Sequence, residues 1–290
     1  MKIKISTALN IGQRDNNEDA LIFCPDLSLQ QWSHGLMDMY IPLGECGAIA
    51  VVADGMGGAN AGEVASDIAL RSVQEMFSAE NAASAVASGQ GSIKSLLEKA
   101  IRRADTAILE RIATDDKTRG MGTTIVVCWM LNDNAYIAWC GDSRCYVFNP
   151  VTGLKQLTRD HSLVQEMVDN GEISEKEAFL HPDSNIITRG LGDFSNEGEP
   201  DIVIHGIKPN DTIILCSDGL CGYCENQDIK ETLNHSFINV DECCNQLLQM
   251  ALDAGGHDNI SIVVASCIGN QQELPQKATF AQKLKRFIGM

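Results

Sequence analysis

Four aspartates stand at the ends of strongly apolar runs. Asp54 closes Ala48 to Ala53 (AIAVVA), Asp142 follows AYIAWCG, Asp218 follows TIILCS, and Asp258 precedes NISIVVA. Each run reads as a buried strand, so each carboxylate sits at a strand mouth. A carboxylate without a partner is costly to desolvate there. Lysine and arginine are scarce around all four, so a divalent cation is the economical counter-charge. The donors are hard oxygens with no histidine or thiolate cluster beside them, which points to magnesium or manganese rather than zinc. Any one of the four can be read as an ordinary turn aspartate; the same setting four times outweighs that reading.

Two such cations about 3.5–4 Å apart, bridged by an acid such as Asp54, would lower the pKa of a shared water and clamp a phosphoryl oxygen. The glycines after Asp54, at 55, 57 and 58, suit a turn where backbone approaches a ligand or metal. A phosphoryl anion also needs a positive partner. Arg14, in GQRDNNED beside Glu18 and Asp19, is the candidate, because a guanidinium grips two phosphate oxygens at once. An arginine beside acids is equally a ready salt-bridge partner.

The elements that must position these residues follow from periodicity. Residues 2–9 alternate as a strand, Gly12 to Asp19 is a polar turn, and Ala20 to Cys24 is a second strand. Cys24 to Gly47 is irregular and reads as a long loop or inserted hairpin. The strand from Ala48 breaks at Asp54 into its glycine turn. Helices are expected over Glu63 to Phe77 and Ser92 to about Thr114, the latter with one apolar face through Ile93, Leu96, Leu97, Ala100, Ile101, Ala104, Ile108 and Ile112. Asn81 to Gly91 between them is small and polar, a connector. Strands follow at Thr123 to Leu131, Ala135 to Cys140 and Cys145 to Phe148, with turns at Asn132 to Asn134 and Pro150 to Gly153. Short helical pieces at Ser162 to Asn170 and Glu175 to Leu180 flank Gly171. Strands at Ile202 to Ile207 and Thr212 to Cys216, a helix over Asp241 to Ala254 capped by two glycines, and a strand at Ile260 to Cys267 complete the order. No internal repeat is evident. This order suggests helices covering mainly antiparallel sheets.

The chain of 290 residues is long enough for a sizeable core, and its 44% apolar and 21% charged content is that of a globular protein. A formal net charge of −17 repels phosphate backbones and anionic lipid, which argues against nucleic-acid binding and membrane-surface binding. No secretory leader and no membrane-length apolar stretch is evident, so a cytoplasmic location and no stable membrane insertion are expected. An odd count of 11 cysteines, several inside apolar runs, fits reduced structural thiols; Cys221 and Cys224 form a CxxC with no second pair to complete a zinc set. Asn210, Asn234 and Asn259 open N-x-[ST] matches that mean little without export. Residues 269–290 read as a linker and a short basic amphipathic tail, with Phe280, Leu284, Phe287 and Ile288 against Lys283, Lys285 and Arg286. Such a tail is a docked or frayed helix, or a tether to a partner or membrane surface.

Eight motifs then carry a resemblance. Gly12-Gln13-Arg14 with Glu18-Asp19, Val52 to Gly58 (VADGMGG), Met121-Gly122-Thr123-Thr124, Gly141-Asp142-Ser143-Arg144, Asp160-His161-Ser162, Ile187 to Gly192 (ITRGLG), Ser217-Asp218-Gly219 and Gly256-His257-Asp258-Asn259-Ile260 occur in this order. The chain resembles the metal-dependent protein phosphatases (PPM, the protein phosphatase 2C type), most closely the bacterial serine/threonine branch, over about residues 5–267. The resemblance implies an α+β fold, a four-layer α-β-β-α sandwich of two mainly antiparallel sheets flanked by helices, with a metal site between the sheets. The catalytic domain would span 1–268. It also implies roles: Asp54 bridging two metals, Asp218 and Asp258 completing one, and the Gly55 carbonyl with Glu18 and Asp19 completing the other, directly or through water. Asp142 with Asp218 would hold a weaker third metal, Arg14 would bind substrate phosphate, and His161 to Ile187 would contain a flap shaping the cleft.

The implied reaction is hydrolysis of phosphoserine or phosphothreonine in a protein substrate by water activated by two divalent cations, manganese or magnesium, without a covalent phosphoenzyme. A monomer is expected. Two departures qualify it. Many eukaryotic members have histidine after the Asp-Gly; here Met56, as in bacterial relatives, cannot act as the general acid, and His161 reads as a structural side chain rather than its replacement. Some members carry an acid four residues after the position of Asp218, where this chain has Gly222. A phosphoprotein-binding module without hydrolysis would have eroded ligands, yet Asp54, Asp218 and Asp258 are all present. A metal-dependent nuclease or small-molecule phosphohydrolase is the other alternative, and the acidic balance argues against nucleic acid.

Overall fold

The computed structural model describes residues 1–37, 39–57, 61–192 and 198–269. In chain order, β1 (Lys2–Asn10), β2 (Asp19–Cys24), β3 (Ile41–Pro42) and β4 (Ala48–Met56) precede three helices, α1 (Ala61–Met76), α2 (Ala79–Ser88) and α3 (Gln90–Thr114). Then come β5 (Gly122–Thr123), β6 (Ile125–Leu131), β7 (Asn134–Cys140), β8 (Arg144–Asn149) and β9 (Gly153–Gln156). A helical excursion, α4 (Leu163–Asp169) and α5 (Glu175–Phe179), leads to β10 (Leu191–Gly192), β11 (Asp201–Gly206) and β12 (Thr212–Cys216). The short α6 (Asp218–Cys221), α7 (Asn226–Ser236), α8 (Val240–Asp253) and β13 (Ile260–Ile268) close the fold.

The strands form two antiparallel sheets. One runs β3-β1-β13-β12-β8-β9; the other runs β10-β5-β4-β6-β7-β11 with β2 also on β4. Three apolar clusters make the four layers. Ile5, Val52, Cys128, Ile137, Leu215 and Val263 fill the space between the sheets. Val51, Trp129 and Ala138, on the opposite face of the second sheet, meet α1 to α3 through Ala65, Leu97 and Ile101. Tyr146, Ile214 and Val264 meet α7 and α8 through Leu233 and Leu247. Strands buried on both faces, as β6, β12 and β13 are, carry the unbroken apolar runs seen in the sequence. The expected α+β sandwich is the observed one. All 11 cysteines are free and buried, including Cys221 and Cys224.

Several local expectations are corrected. The strand from Ala48 does not break at Asp54; β4 continues through Gly55 and Met56, which pair with Thr123 and Gly122. Residues 123–131 are not one strand: Thr124 leaves the ladder to donate its N–H to Asp54 O at 2.8 Å, separating β5 from β6. The expected connector at Asn81 to Gly91 contains most of α2. Ser78 caps it, accepting from Asn81 N–H, and Ala82 and Ala85 are buried, so alanine supplies both helix propensity and a thin packing face. Helix α7 and strand β9 were not anticipated; Ile229 and Leu233, four apart, bury one side of α7. Gly58 and the tail over 270–290 lie outside the described residues.

Candidate active site

All four aspartates arrive at one end of the sandwich. Asp54 is near the end of β4, and Asp19 at the start of β2 stands directly opposite it. Asp142 occupies the turn from β7 to β8, Asp218 opens α6 after β12, and Asp258 lies two residues before β13. The Asp54 and Asp218 carboxyls lie close enough that each perturbs the other's proton affinity. Burial first, and then the charges of Asp19, Asp218 and Asp142, push the Asp54 carboxyl well above the ordinary range. Burial, Asp218 and Asp160 do the same to Asp142, against the opposing pull of Arg144. Burial raises Asp19 to about 7, with Asp218 and Asp258 adding to it against a bond from Ser217. Burial, then Asp258, raises Asp218; burial also raises Glu18.

Like charges gathered out of water favour either protons or a cation. Asp142 Oδ1 is buried and has no hydrogen-bond partner among the described residues. Among those residues no three acid, histidine or cysteine side chains gather closely enough to make a cage alone. An all-oxygen set with an orphaned buried carboxylate oxygen fits hard divalent cations.

The supporting contacts explain the flanking motifs. Thr123 Oγ1 donates to Asp54 O at 2.9 Å, and Asp54 N–H donates to Thr124 Oγ1 at 3.1 Å. The backbone of Asp54 is thus held from both sides. A Cβ at Gly55 would stand 2.2 Å from Gly62 O and 2.5 Å from Glu18 O, so only glycine fits where β4 meets these two carbonyls. Two residues that sequence reasoning did not single out are central. Ser217 Oγ donates to Asp19 Oδ2 at 2.7 Å and accepts from Ser261 N–H at 3.0 Å. Asn259 accepts from Glu18 N–H at 2.7 Å and donates to Ile11 O and Asn16 O, both at 2.9 Å. It pins the loop carrying Arg14 and Glu18 to the loop carrying Asp258. Its position inside GHDN was the available signal; the N-x-S match it opens was a distraction.

Arginine is less scarce here than the sequence suggested. Arg14 donates from Nη2 to Asp258 Oδ2 at 2.7 Å and from Nε to His257 O at 3.3 Å, with its side chain 54% exposed. The structure therefore gives Arg14 a salt bridge, at the rim of the cluster. Arg144 is held by Asp160 through Nε and Nη2 and by Tyr146 OH. Gly222 donates its N–H to Asp218 O at 2.7 Å and adds no carboxylate. The segment in which a flap is expected forms α4 and α5, and a Ser162–Ile187 bridge joins its two ends. A cavity of about 490 Å³ runs from Asp142 and Asp218 between the flap, at Val164 and Phe179, and the turn at Tyr223.

Residues 10–260 match the family described as Protein phosphatase 2C. The chain belongs to the protein phosphatase 2C family. With membership comes the enzyme class, a metal-dependent phosphoprotein phosphatase acting on phosphoserine and phosphothreonine. The serine/threonine phosphatase stp of Listeria monocytogenes is 36% identical over 229 residues, 79% of this chain and 86% of the relative. The serine/threonine protein phosphatase PstP of Mycobacterium tuberculosis is 32% identical over 220 residues, 76% of this chain but 40% of that longer protein. Among solved structures, the M. tuberculosis PstP/Ppp phosphatase superposes with a TM-score of 0.76 at 29% identity, covering 93% of this chain and all of that one. The catalytic domain of PstP in complex with two manganese ions gives 0.73 at 28% identity, covering 92% of this chain and 99% of that one. No helix among the described residues of this phosphatase 2C is long and apolar enough to cross a membrane.

Proposed function

We propose that this phosphatase hydrolyses its phosphoprotein substrate by direct attack of water at phosphorus, with two divalent cations, manganese or magnesium, held by the carboxylate cluster. The observation that carries the reading is the cluster of buried Asp19 and Asp142 with half-buried Asp54 and Asp218, whose like charges raise one another's proton affinity. Asp54, close to Asp218 and opposite Asp19, is suited to lie between the two ions. Asp218 and Asp258 would complete one ion; the Gly55 carbonyl, Glu18 and Asp19 would complete the other. Asp142 and Asp218 would hold a third, weaker one, without help from Gly222. When bound, the pair supplies hydroxide at neutral pH and offsets the negative charge of the phosphoryl group.

The protein's own groups then bind and orient. Arg14 is exposed enough to exchange Asp258 for two equatorial phosphate oxygens, and its guanidinium stabilises charge developing there. As the water oxygen bonds to phosphorus, the bond to the serine or threonine oxygen breaks, and that oxygen takes up a proton from solvent-side water, since Met56 has none to give. The neighbouring thiol is a poor nucleophile: Cys221 is free and buried, its Sγ donates to Ser217 O at 3.5 Å, and the adjacent Cys216 thiol together with burial pushes it well above its usual range. That supports attack without a phosphoenzyme. A phosphothreonine peptide, a nucleotide and single-stranded DNA, each assayed in manganese and then in chelator, test the proposal. Phosphate release from the peptide only, and only with metal, is expected; release in chelator overturns the metal mechanism.

A further inference from the structure

His161 carries the contacts on which the flap hangs. Its backbone N–H donates to Gly141 O at 3.0 Å, and its side-chain Nδ1 accepts from Gly141 N–H, also at 3.0 Å. One residue thus engages both backbone groups of the glycine that precedes Asp142. Its own carbonyl accepts from Thr188 N–H at 2.9 Å, so the outgoing and returning stems of the flap meet on it. Leu163 N–H donates to Ile186 O at 2.9 Å just beyond. On the far side of the ring, Nε2 faces Asp201 Oδ2 at 3.2 Å, with Arg189 Nη2 against the same nitrogen. Arg189 also reaches both Asp201 oxygens at 3.2 Å. The Trp139 ring stacks on the imidazole, centroids 5.9 Å apart and 12° from parallel.

The contact at Nδ1 defines the ring's chemistry. A nitrogen that accepts from an amide carries no proton, so the proton of the neutral ring is on Nε2, where Asp201 accepts it; Arg189, a donor only, then makes no hydrogen bond to that nitrogen and is held by Asp201 instead. The Gly141 turn has no slack on its other side. Gly141 has φ 117°, and a Cβ there would stand 2.5 Å from Thr124 Cβ. Thr124 in turn contacts Ser143 Oγ at 2.8 Å and holds Asp54.

We propose that His161 is a positioning residue: its Nδ1 contact with the Gly141 amide locks the turn that presents Asp142 and ties that turn to the flap. Flap seating and the grip of Asp142 on a divalent cation are then set together. The inference rests on the reading of Asp142 as a metal ligand, and adds a residue that touches neither metal nor substrate.

Two variants of the full chain separate the ends of the ring. In His161→Asn the amide oxygen takes the place of Nδ1; in His161→Gln the side chain reaches toward Asp201 and abandons Gly141. Amide exchange by NMR in the metal-free protein is the first readout. Exchange at Gly141 and Thr188 rises by about tenfold or more in the Gln variant and stays within about threefold of the parent in the Asn variant. The manganese concentration for half-maximal phosphate release rises about tenfold in the Gln variant only, the scale of losing a contact behind a metal ligand. Equal exchange at Gly141 in both variants, or no change in the Gln variant, overturns the proposal. Should a variant fail to fold, the imidazole nitrogen spectrum of the unaltered protein decides: an unprotonated Nδ1 coupled to the Gly141 amide supports the contact, and a protonated Nδ1 overturns it. Exchange and nitrogen spectra need no turnover, so an inactive parent enzyme would count against the phosphatase mechanism and leave this test intact.

Discussion

Asp19 and Asp54 face each other in register across β2 and β4. Cross-strand neighbours of this kind have Cβ atoms about 4.5–5.5 Å apart, where like charges destabilise the pair. A sheet that places two acids so, and brings Asp218 close to one of them, gives up stability for a site that a cation can neutralise.

Asp54→Asn therefore has opposite effects on activity and stability. Turnover of a phosphothreonine peptide falls by about 10³-fold or more, since several kcal/mol of charge stabilisation depend on the ions. The metal-free variant melts higher than the metal-free parent, because an amide neither repels Asp19 and Asp218 nor has to take up a proton to avoid doing so. Melting curves in chelator alongside initial rates in manganese check both; a lower melting point with full activity counts against the site.

The pH dependence follows from the same carboxyls. An aspartate in the unfolded chain titrates near 3.8, whereas burial and like charge lift folded Asp19 to about 7 and Asp54 and Asp142 well above their ordinary range. The folded state then binds more protons than the unfolded state between those values. The contribution of these groups is present below pH 3.8 and is lost as pH rises through about 7 for Asp19 and beyond for the others. In chelator the melting temperature should fall from about pH 5.5 to about pH 8, and the gain on adding manganese should grow over that interval. A manganese shift that is larger at the acid end contradicts the sign.

Asn259→Ala removes three hydrogen bonds between the Asp258 loop and the 11–18 loop. Leaving those partly buried backbone groups unpaired costs about 1–3 kcal/mol, seen as a lower denaturation midpoint. Because Arg14 rides on the same loop, the peptide KM rises more than kcat falls. Unchanged kinetics in the Ala variant would detach Asn259 from the site.

Arg14→Ala should lower kcat/KM by roughly tenfold to a hundredfold, the worth of a charge-assisted contact of roughly 1.5–3 kcal/mol. Arg14→Lys recovers only part of it, since an ammonium cannot make the paired contact. Steady-state kinetics on one phosphopeptide suffices, and full recovery by lysine would reduce Arg14 to the salt bridge with Asp258.

The apolar strands and their terminal acids were legible because burial on both faces writes itself as unbroken runs. What joins them was not. The opposition of Asp19 and Asp54 depends on the register of two strands, which no local pattern states. Gly55 read as a turn because two glycines follow soon after, yet pairing with Thr123 keeps it in the strand. Helix α2 was hidden because alanine gives no amphipathic contrast, although Ser78 was a usable cap signal. Asn259 and Ser217 act through backbone groups far away in sequence, so their side chains looked ordinary. Arg14 had two readings, and the structure shows the one that needs no substrate.

The central claim is that the carboxylate cluster holds catalytic divalent cations. Calorimetric titration of the chelator-stripped full chain with manganese, beside Asp54→Asn, tests it most directly. Two tight equivalents in the parent, loss of them in the variant, and phosphate release that rises with their occupancy are predicted. Equal binding by both proteins, or full phosphopeptide turnover by the metal-free parent, would contradict it.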